Sequence, residues 1–156
     1  MSNIFHEHYV PVFALAPDAD RYDSDPATDI ISMALHDEVT FIVQEGAGGT
    51  GTATLTVEEC DDTTPSNSTA IAFKYRVAQS GDTFGALTAV AASGYATVAG
   101  ANKMVQITIK SEDLSAGFPF VRLVLTELVD DPVDAGVLAV MGQNRYSGDS
   151  HTSVLS

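Results

Sequence analysis

Apolar and polar residues alternate along most of the chain, which is the pattern of half-buried β-strands. Between Thr52 and Cys60, the residues Ala53, Leu55 and Val57 fall on one face, while Thr and Glu occupy the other. This period of two indicates an antiparallel strand with one face packed and the other in water. The same pattern predicts seven further strands, at residues 8–15, 30–35, 38–45, 72–78, 104–109, 121–127 and 137–142.

The residues between these runs predict how the strands connect. The glycine-rich stretch 46–51 separates two alternating runs, so we expect a hairpin there. Residues 79–82 (QSGD) are typical of a turn. Pro11 lacks a backbone N–H, which limits the 8–15 run to a sheet edge or an extended arm. Ser111 and Gly117 bracket a segment with a cap-like start and a terminating glycine, which predicts one short helical turn.

Short, regularly spaced strands without long helices favour two packed sheets over a parallel sheet with crossover helices. We therefore expect one all-β domain spanning residues 1–156 of the sequence. Its expected architecture is an antiparallel β-sandwich, immunoglobulin-like or jelly-roll, with seven or eight strands and at most one short helical turn. An extended N-terminal segment (1–15), an Asp-rich surface loop (17–29) and a polar C-terminal tail (147–156) complete the prediction.

Composition excludes several classes of partner. The chain carries 21 Asp and Glu against 7 Lys and Arg, a formal charge of -14, and such a field repels nucleic acid and anionic membranes. Cys60 is the only cysteine, so no intrachain disulfide forms, and a reducing compartment suits the chain. No segment approaches the ~20 apolar residues of a membrane-spanning helix. These features predict a protein made in cytoplasm, or one that leaves it inside a particle.

Two groups of side chains are candidate metal ligands. On a strand, His6 and His8 would share a face, but no third ligand follows at a recognisable spacing. The second group consists of Asp18, Asp20, Asp23 and Asp25, with Asp29 further on. Their carboxylates could supply oxygen ligands to calcium, yet their spacing fits an EF-hand loop poorly and a solvated acidic turn explains them better. We predict no metal site and no cofactor.

Catalytic motifs find little support. The 46–51 stretch lacks the Gly-Lys-Ser/Thr ending of a phosphate-binding loop. Cys60 lies among four carboxylates, which should raise the pKa of its thiol and oppose the thiolate that a nucleophile needs. No Gly-x-Ser-x-Gly elbow is present, and Ser, His and Asp are too scattered to define a triad. We therefore expect a non-enzymatic protein.

One stretch of sequence resembles a known group of proteins. Residues 57–73 (VEECDDTTPSNSTAIAF) are similar to a segment of small virion structural proteins of tailed bacteriophages. Residues 9–12 (YVPV), 118–123 (FPFVRL) and 144–146 (NRY) resemble that group too, so the likeness covers most of the chain. It implies a β-rich protein without a catalytic motif, located on the phage head.

The resemblance also implies partners. A decoration or cement protein would be made in bacterial cytoplasm and would bind the outside of the major capsid lattice, as a homo-oligomer for which a trimer is one possibility. Two alternatives remain open: a tail or neck component (tube, completion or adaptor), and a glycan-binding module. Contacts with the capsid would come from an end loop, an edge strand or a terminal arm, for which residues 2–15 and then 147–156 are the candidates. The candidate contact residues are Ile4, Phe5, Tyr9, Val12, Tyr146, Val154 and Leu155.

Overall fold

A computed structural model describes residues 5–78, 83–144 and 154–155, and over these the protein is all-β with two antiparallel sheets. The first sheet has the order β1-β11-β3-β9-β6-β7. Its strands are β1 (Val10–Asp18), β3 (His36–Gly48), β6 (Phe73–Ala78), β7 (Thr88–Val90), β9 (Lys103–Lys110) and β11 (Val133–Asn144). The second has the order β12-β2-β10-β4-β5, with β8 also paired to β4. Its strands are β2 (Ile30–Ser32), β4 (Thr52–Cys60), β5 (Ser68–Ile71), β8 (Tyr95–Ala96), β10 (Phe120–Val129) and β12 (Val154–Leu155).

All eight predicted strands are present, but the expected total of seven or eight is wrong. The described residues form two six-stranded sheets, and the additional strands are β5, β7, β8 and β12. Each of these has only two to four residues. A segment of that length cannot display a period of two clearly, so pairing with a longer neighbour defines it. The predicted turn at residues 79–82 lies outside the described residues.

The core lies between the two sheets, and the alternation predicts its members well. Val39, Phe41 and Val43 of β3 are fully buried, as are Leu55 of β4 and Leu123 of β10. One hydrophobic cluster contains inward side chains from both sheets, so each sheet covers the apolar face of the other. Burial of apolar surface on this scale provides the main stabilisation, since the described chain has no disulfide.

The predicted hairpin between β3 and β4 is wrong. β3 pairs with β11 and β9 in the first sheet, whereas β4 pairs with β10, β5 and β8 in the second. The glycines between them carry the chain from one sheet to the other. A Cβ at Gly51 would lie 2.1 Å from the carbonyl oxygen of Asp131, so this crossing needs a residue without a side chain.

The first residues of the described chain are more ordered than an extended arm. Phe5–His8 forms one α-helical turn (α1), and Ser111–Asp113 forms the predicted short turn as a 3₁₀-helix. The described residues thus contain two short helices, one more than expected. β1 pairs with β11 from Val10 to Asp18 and lies at a sheet edge, one of the two places that Pro11 allows.

The Asp-rich segment 17–29 is a surface loop in part, with residues 17–19, 23–25 and 27 exposed, but it is also tied to the second sheet. Thr28 N–H donates to the carbonyl oxygen of Leu123 at 2.8 Å, and Leu125 N–H donates to that of Pro26 at 2.9 Å. The backbone thus pairs with β10 ahead of β2, while Tyr22 is fully buried in the core. The polar C-terminal tail is described only at Val154 and Leu155, which pair with β2.

Candidate interaction surface

The outer face of the first sheet divides into a polar half and an apolar half. On the polar half, the Thr40 and Thr108 hydroxyls lie 3.0 Å apart, and Arg76 Nε donates to Gln106 Oε1 at 2.7 Å. This is the ordinary solvated face of an antiparallel sheet. β1 and β11 continue the same face, but with apolar side chains. Burial within the described chain does not account for these apolar side chains, because Phe13 is exposed and Leu138 and Val140 are only partly buried.

The apolar half is built by register. Phe13 of β1 lies opposite Leu138 of β11, and Pro11 lies opposite Val140. Ile42 of β3 lies on the other side of Leu138. These five residues point away from the core, since their sequence neighbours on each strand are buried or pack against the core cluster. We call this surface the β1–β11 patch.

Phe13 dominates the patch, with 72% of its surface exposed. A large apolar side chain left in water loses the burial free energy of roughly 1.5–3 kcal/mol that it gains inside a protein. Phe5 and Tyr9 extend the apolar surface towards α1, where their rings stack at a centroid distance of 5.0 Å. Contiguous apolar surface of this kind on a sheet is typical of a contact site for another molecule.

Two glycines in β11 let aromatic and proline rings lie flat on the sheet. A Cβ at Gly142 would be 2.8 Å from Tyr9 Cε1, and a Cβ at Gly136 would be 3.0 Å from Pro17 Cγ. Any side chain at these positions would lift Tyr9 or Pro17 from the sheet. The glycines therefore fix the two ends of the patch.

A cleft of about 730 Å³ opens at the Gly136 end of the patch. Its apolar walls include Phe13, Pro17 and Leu138, and the carboxylates of Asp18 and Asp134 lie at its margin. The cleft is therefore an apolar depression bordered by negative charge. Such a border favours a partner with a basic group next to its apolar contact.

The four aspartates considered as calcium ligands lie near this end, but the structure does not bring them together as a metal site. Asp18 pairs with Arg21 at 3.1 Å, and Asp25 Oδ1 accepts the Glu127 N–H at 2.7 Å. Among the described residues, no group of three or more His, Cys, Asp or Glu side chains has the geometry to hold a metal ion. Asp20 and Asp23 contribute charge instead.

That charge is concentrated enough to perturb a neighbour. Partial burial raises the pKa of the Glu127 carboxyl, and the negative charges of Asp130, Asp20, Asp23 and Asp25 raise it further. Like charges are therefore close together at this end of the fold. A basic partner would relieve their repulsion.

A buried polar pair anchors the acidic segment to the first sheet. The Tyr22 hydroxyl donates a hydrogen bond to Glu45 Oε1, and the two residues are 0% and 6% exposed. Burial raises the pKa of the Glu45 carboxyl, while hydrogen bonds from Tyr22 and Thr97 and the charge of Lys103 lower it in part. Burial and the charge of Glu45 likewise raise the pKa of Tyr22. The pair fixes the segment that carries Asp18 to the cleft.

The sheet edges are poorly suited to pairing with another strand. β1 contains Pro11 and Pro17, and its register shifts twice along β11. The opposite edge, β7, has three residues, and the edges β5 and β12 of the second sheet have four and two. Prolines, bulges and short edge strands are the devices that prevent edge-to-edge association. Contact through the outer face is the better supported mode.

The candidate contact residues differ in exposure, and two of them lie outside the described part of the chain. Phe5 and Tyr9 are exposed beside the patch, whereas Val12 faces inward and packs against the core cluster. Ile4 and Tyr146 lie outside the described residues. Of Val154 and Leu155 the structure describes only the backbone pairing with β2. Phe13 was missed, although its position next to Val12 in a run that is apolar at every step was the available signal.

The remaining candidates for chemistry lie apart from one another. Cys60 is fully buried, and burial is the main reason that its thiol pKa is raised, with Glu58, Asp61 and Asp62 adding to the effect. His8 is exposed near α1, and the side chain of His6 is not described. The Gly-rich stretch at residues 46–51 leads into a strand, so no helix N-terminus is available there for phosphate.

A second cleft lies beside a pair of tyrosines. The Tyr75 and Tyr95 rings stack with centroids 4.1 Å apart, and they line an open cleft together with Phe84, Thr83 and Thr88.

No helix among the described residues has the length and apolar character needed to span a membrane.

No protein-family model, no curated protein and no solved structure matches the chain. The similarity of residues 57–73 to phage virion proteins therefore stays a prediction from the sequence.

Proposed function

We propose that the protein is a non-enzymatic structural component of a phage virion, namely a head decoration or cement protein that binds the outside of the major capsid lattice. The observation that supports a role in assembly is the β1–β11 patch, an apolar surface with Phe13 72% exposed at its centre. Assignment to the phage head rests on the sequence resemblance alone. We also propose that the two sheets form an antiparallel sandwich of the immunoglobulin-like or jelly-roll kind.

Several properties suit such a role. A formal charge of -14 keeps free subunits apart in the cytoplasm until a lattice is available. Blunted sheet edges limit association between free subunits. A capsid repeats the same site many times by symmetry, so a small contact per subunit is sufficient when subunits act together, for example as a trimer.

The location is tested by quantitative mass spectrometry of heads and tails that have been purified separately from the producing phage. A decoration protein is expected in the head fraction at on the order of hundreds of copies, in proportion to the capsid protein. A copy number equal to that of a single ring would support the alternative, a tail or neck component. Absence from both fractions would contradict a virion role.

A glycan-binding module is the second candidate function, and the Tyr75–Tyr95 pair is the observation that favours it. Aromatic rings beside hydroxyl groups, here those of Thr83 and Thr88, can stack on a sugar ring and hydrogen-bond to it. A glycan array probed with the protein and with Tyr75→Ala tests this candidate. Binding that the substitution abolishes would support it over the decoration role.

A further inference from the structure

The cleft at the Gly136 end of the β1–β11 patch combines two kinds of wall. Phe13, Pro17 and Leu138 provide apolar surface, and Gly136 has no side chain, which lets Pro17 lie against the sheet as one of these walls. An inserted aliphatic or aromatic side chain would therefore be surrounded on several sides. Removing such a side chain from water is favourable by roughly 25 cal/mol per Å².

The margin of the cleft is acidic. Asp134 extends from the outer side of β11 and is exposed, with its Cβ 3.3 Å from the place where a Gly46 Cβ would be. Asp18 has its side chain 62% exposed; Arg21 pairs with its Oδ2 at 3.1 Å, and the Ala19 N–H donates to its Oδ1 at 2.7 Å. Asp20 and Asp130 lie on the segments that follow, and their charge reaches Glu127. A partner group at this margin is thus attracted when it is cationic.

We propose that this cleft binds a segment of a partner protein that inserts one large apolar side chain and places a Lys or Arg next to it. The inference rests on the proposed function, for which it specifies the chemistry of the capsid segment. The apolar side chain enters the cleft and packs against Phe13, Leu138 and Pro17. The cation lies between the carboxylates of Asp18 and Asp134.

Charge argues against two other occupants. In a symmetric dimer whose two-fold axis passes through the cleft, the cleft would face itself, so the Asp18 and Asp134 carboxylates of both copies would be brought together. An anionic lipid surface would be repelled by the same carboxylates. Complementarity of charge therefore favours a basic protein segment.

The test uses ¹⁵N-labelled protein and three synthetic peptides of about twelve residues, a length that spans one extended docking segment. The first peptide has a central Phe flanked by Lys and Arg, the second has Ser in place of that Phe, and the third keeps Phe but has Glu in place of the basic residues. Amide chemical shifts of Gly136 and Leu138 are followed during each titration. Only the first peptide is expected to shift these signals.

Matched variants separate the two contributions. Phe13→Ser is expected to weaken binding of the first peptide about tenfold, the usual effect of removing a central aromatic contact. Asp134→Asn is expected to weaken it a few-fold, and salt should abolish that difference because it screens exposed charges. Leu128→Ser and Glu112→Gln are the controls, since Leu128 is 55% exposed on β10 and the Glu112 side chain is 75% exposed. All four residues are on the surface, and thermal melting verifies that each variant folds.

Each contrary result overturns the proposal. Equal shifts with the acidic peptide would contradict the cation, and no shift with the first peptide would contradict the cleft. Self-association in analytical ultracentrifugation that Phe13→Ser abolishes would make the patch a contact between copies. Binding to vesicles of phosphatidylserine would make it a lipid site. The head inventory tests the virion role separately, so peptide binding by a protein absent from heads would leave the cleft assigned and the virion role refuted.

Discussion

Replacing Tyr22 with Phe removes one hydroxyl from the centre of the fold and keeps the ring that packs in the core. The hydroxyl donates to Glu45 Oε1, and both residues are almost without exposure to solvent. A hydrogen bond to a charged group contributes about 1.5–3 kcal/mol, and a buried acceptor that loses its donor keeps its desolvation cost. We therefore expect Tyr22→Phe to lower the free energy of unfolding by about 2 kcal/mol, a factor of about 30 in the folded-to-unfolded ratio.

The loss should depend on pH, and the direction follows from Glu45. Burial raises the pKa of its carboxyl above the ordinary value of 4.5, so the folded state holds this proton more tightly than the unfolded state does. Stability from this group is thus fully present below the unfolded pKa and decreases as pH rises through the folded pKa. The Tyr22 hydrogen bond limits that decrease because it lowers the pKa of Glu45. The variant should lose more stability at about pH 8 than at about pH 5.

Urea denaturation followed by far-UV circular dichroism measures this effect. The melting temperature should also fall, by about 4–8 °C for a chain of this size. Tyr9→Phe is the matched control, because Tyr9 is 41% exposed. In the double variant Tyr22→Phe, Glu45→Gln, the two effects should not add, since the first substitution removes the donor and the second removes the charge of the acceptor in the same contact. A loss for Tyr22→Phe of under about 0.5 kcal/mol at both pH values would refute this reasoning.

Further predictions concern glycine, charge and the thiol. Gly94 and Gly117 both have a left-handed backbone, with φ of +86° and +91° respectively. Their surroundings differ: a Cβ added at Gly94 would lie 2.5 Å from the Leu55 carbonyl oxygen, whereas a Cβ added at Gly117 would meet nothing within 4 Å. Denaturation should show that Gly117→Ala costs about 1–2 kcal/mol for the left-handed backbone and that Gly94→Ala costs about 1–3 kcal/mol more; equal losses would contradict the clash. The raised pKa of Glu127 means that its charged form opposes folding. Glu127→Gln should therefore raise the melting temperature near neutral pH, and raise it less towards about pH 5. A gain in melting temperature that does not change with pH would contradict this reasoning. Cys60 should react with a thiol reagent far more slowly in the folded protein than in denaturant, because it is buried and its pKa is raised, and equal rates would contradict its burial.

Much of the fold could be predicted because alternation reports directly on burial. The inward residues of β3, β4 and β10 were correctly predicted from the period of two alone. Alternation does not say which strand lies beside which, and the supposed hairpin between β3 and β4 failed for that reason. A glycine-rich connection serves equally well to turn within a sheet or to cross between sheets.

The candidate surface was harder to predict, because it depends on contacts between distant residues. In the sequence Tyr22 belongs to an acidic loop, and its buried hydrogen-bond partner Glu45 is 23 positions away. Phe13 follows Val12 in sequence, and only the pairing of β1 with β11 shows that the two face opposite ways. Composition described the acidic segment as solvated, but hydrogen bonds to β10 decide its place. The core could therefore be predicted from the local alternation of residues, whereas the candidate surface depends on pairing between distant parts of the chain.

The position of β11 has a consequence for how the chain folds. β11 lies between β1 and β3 in the first sheet, so Val10 is paired with Met141 and Val39 is paired with the same residue on its other side. The first sheet cannot be completed before residues 133–144 have left the ribosome, and pairings between strands this distant in sequence form slowly. Until β11 is synthesised, the apolar faces of β1 and β3 remain exposed to solvent. The excess of carboxylates would protect the nascent chain during that interval, before any partner is met.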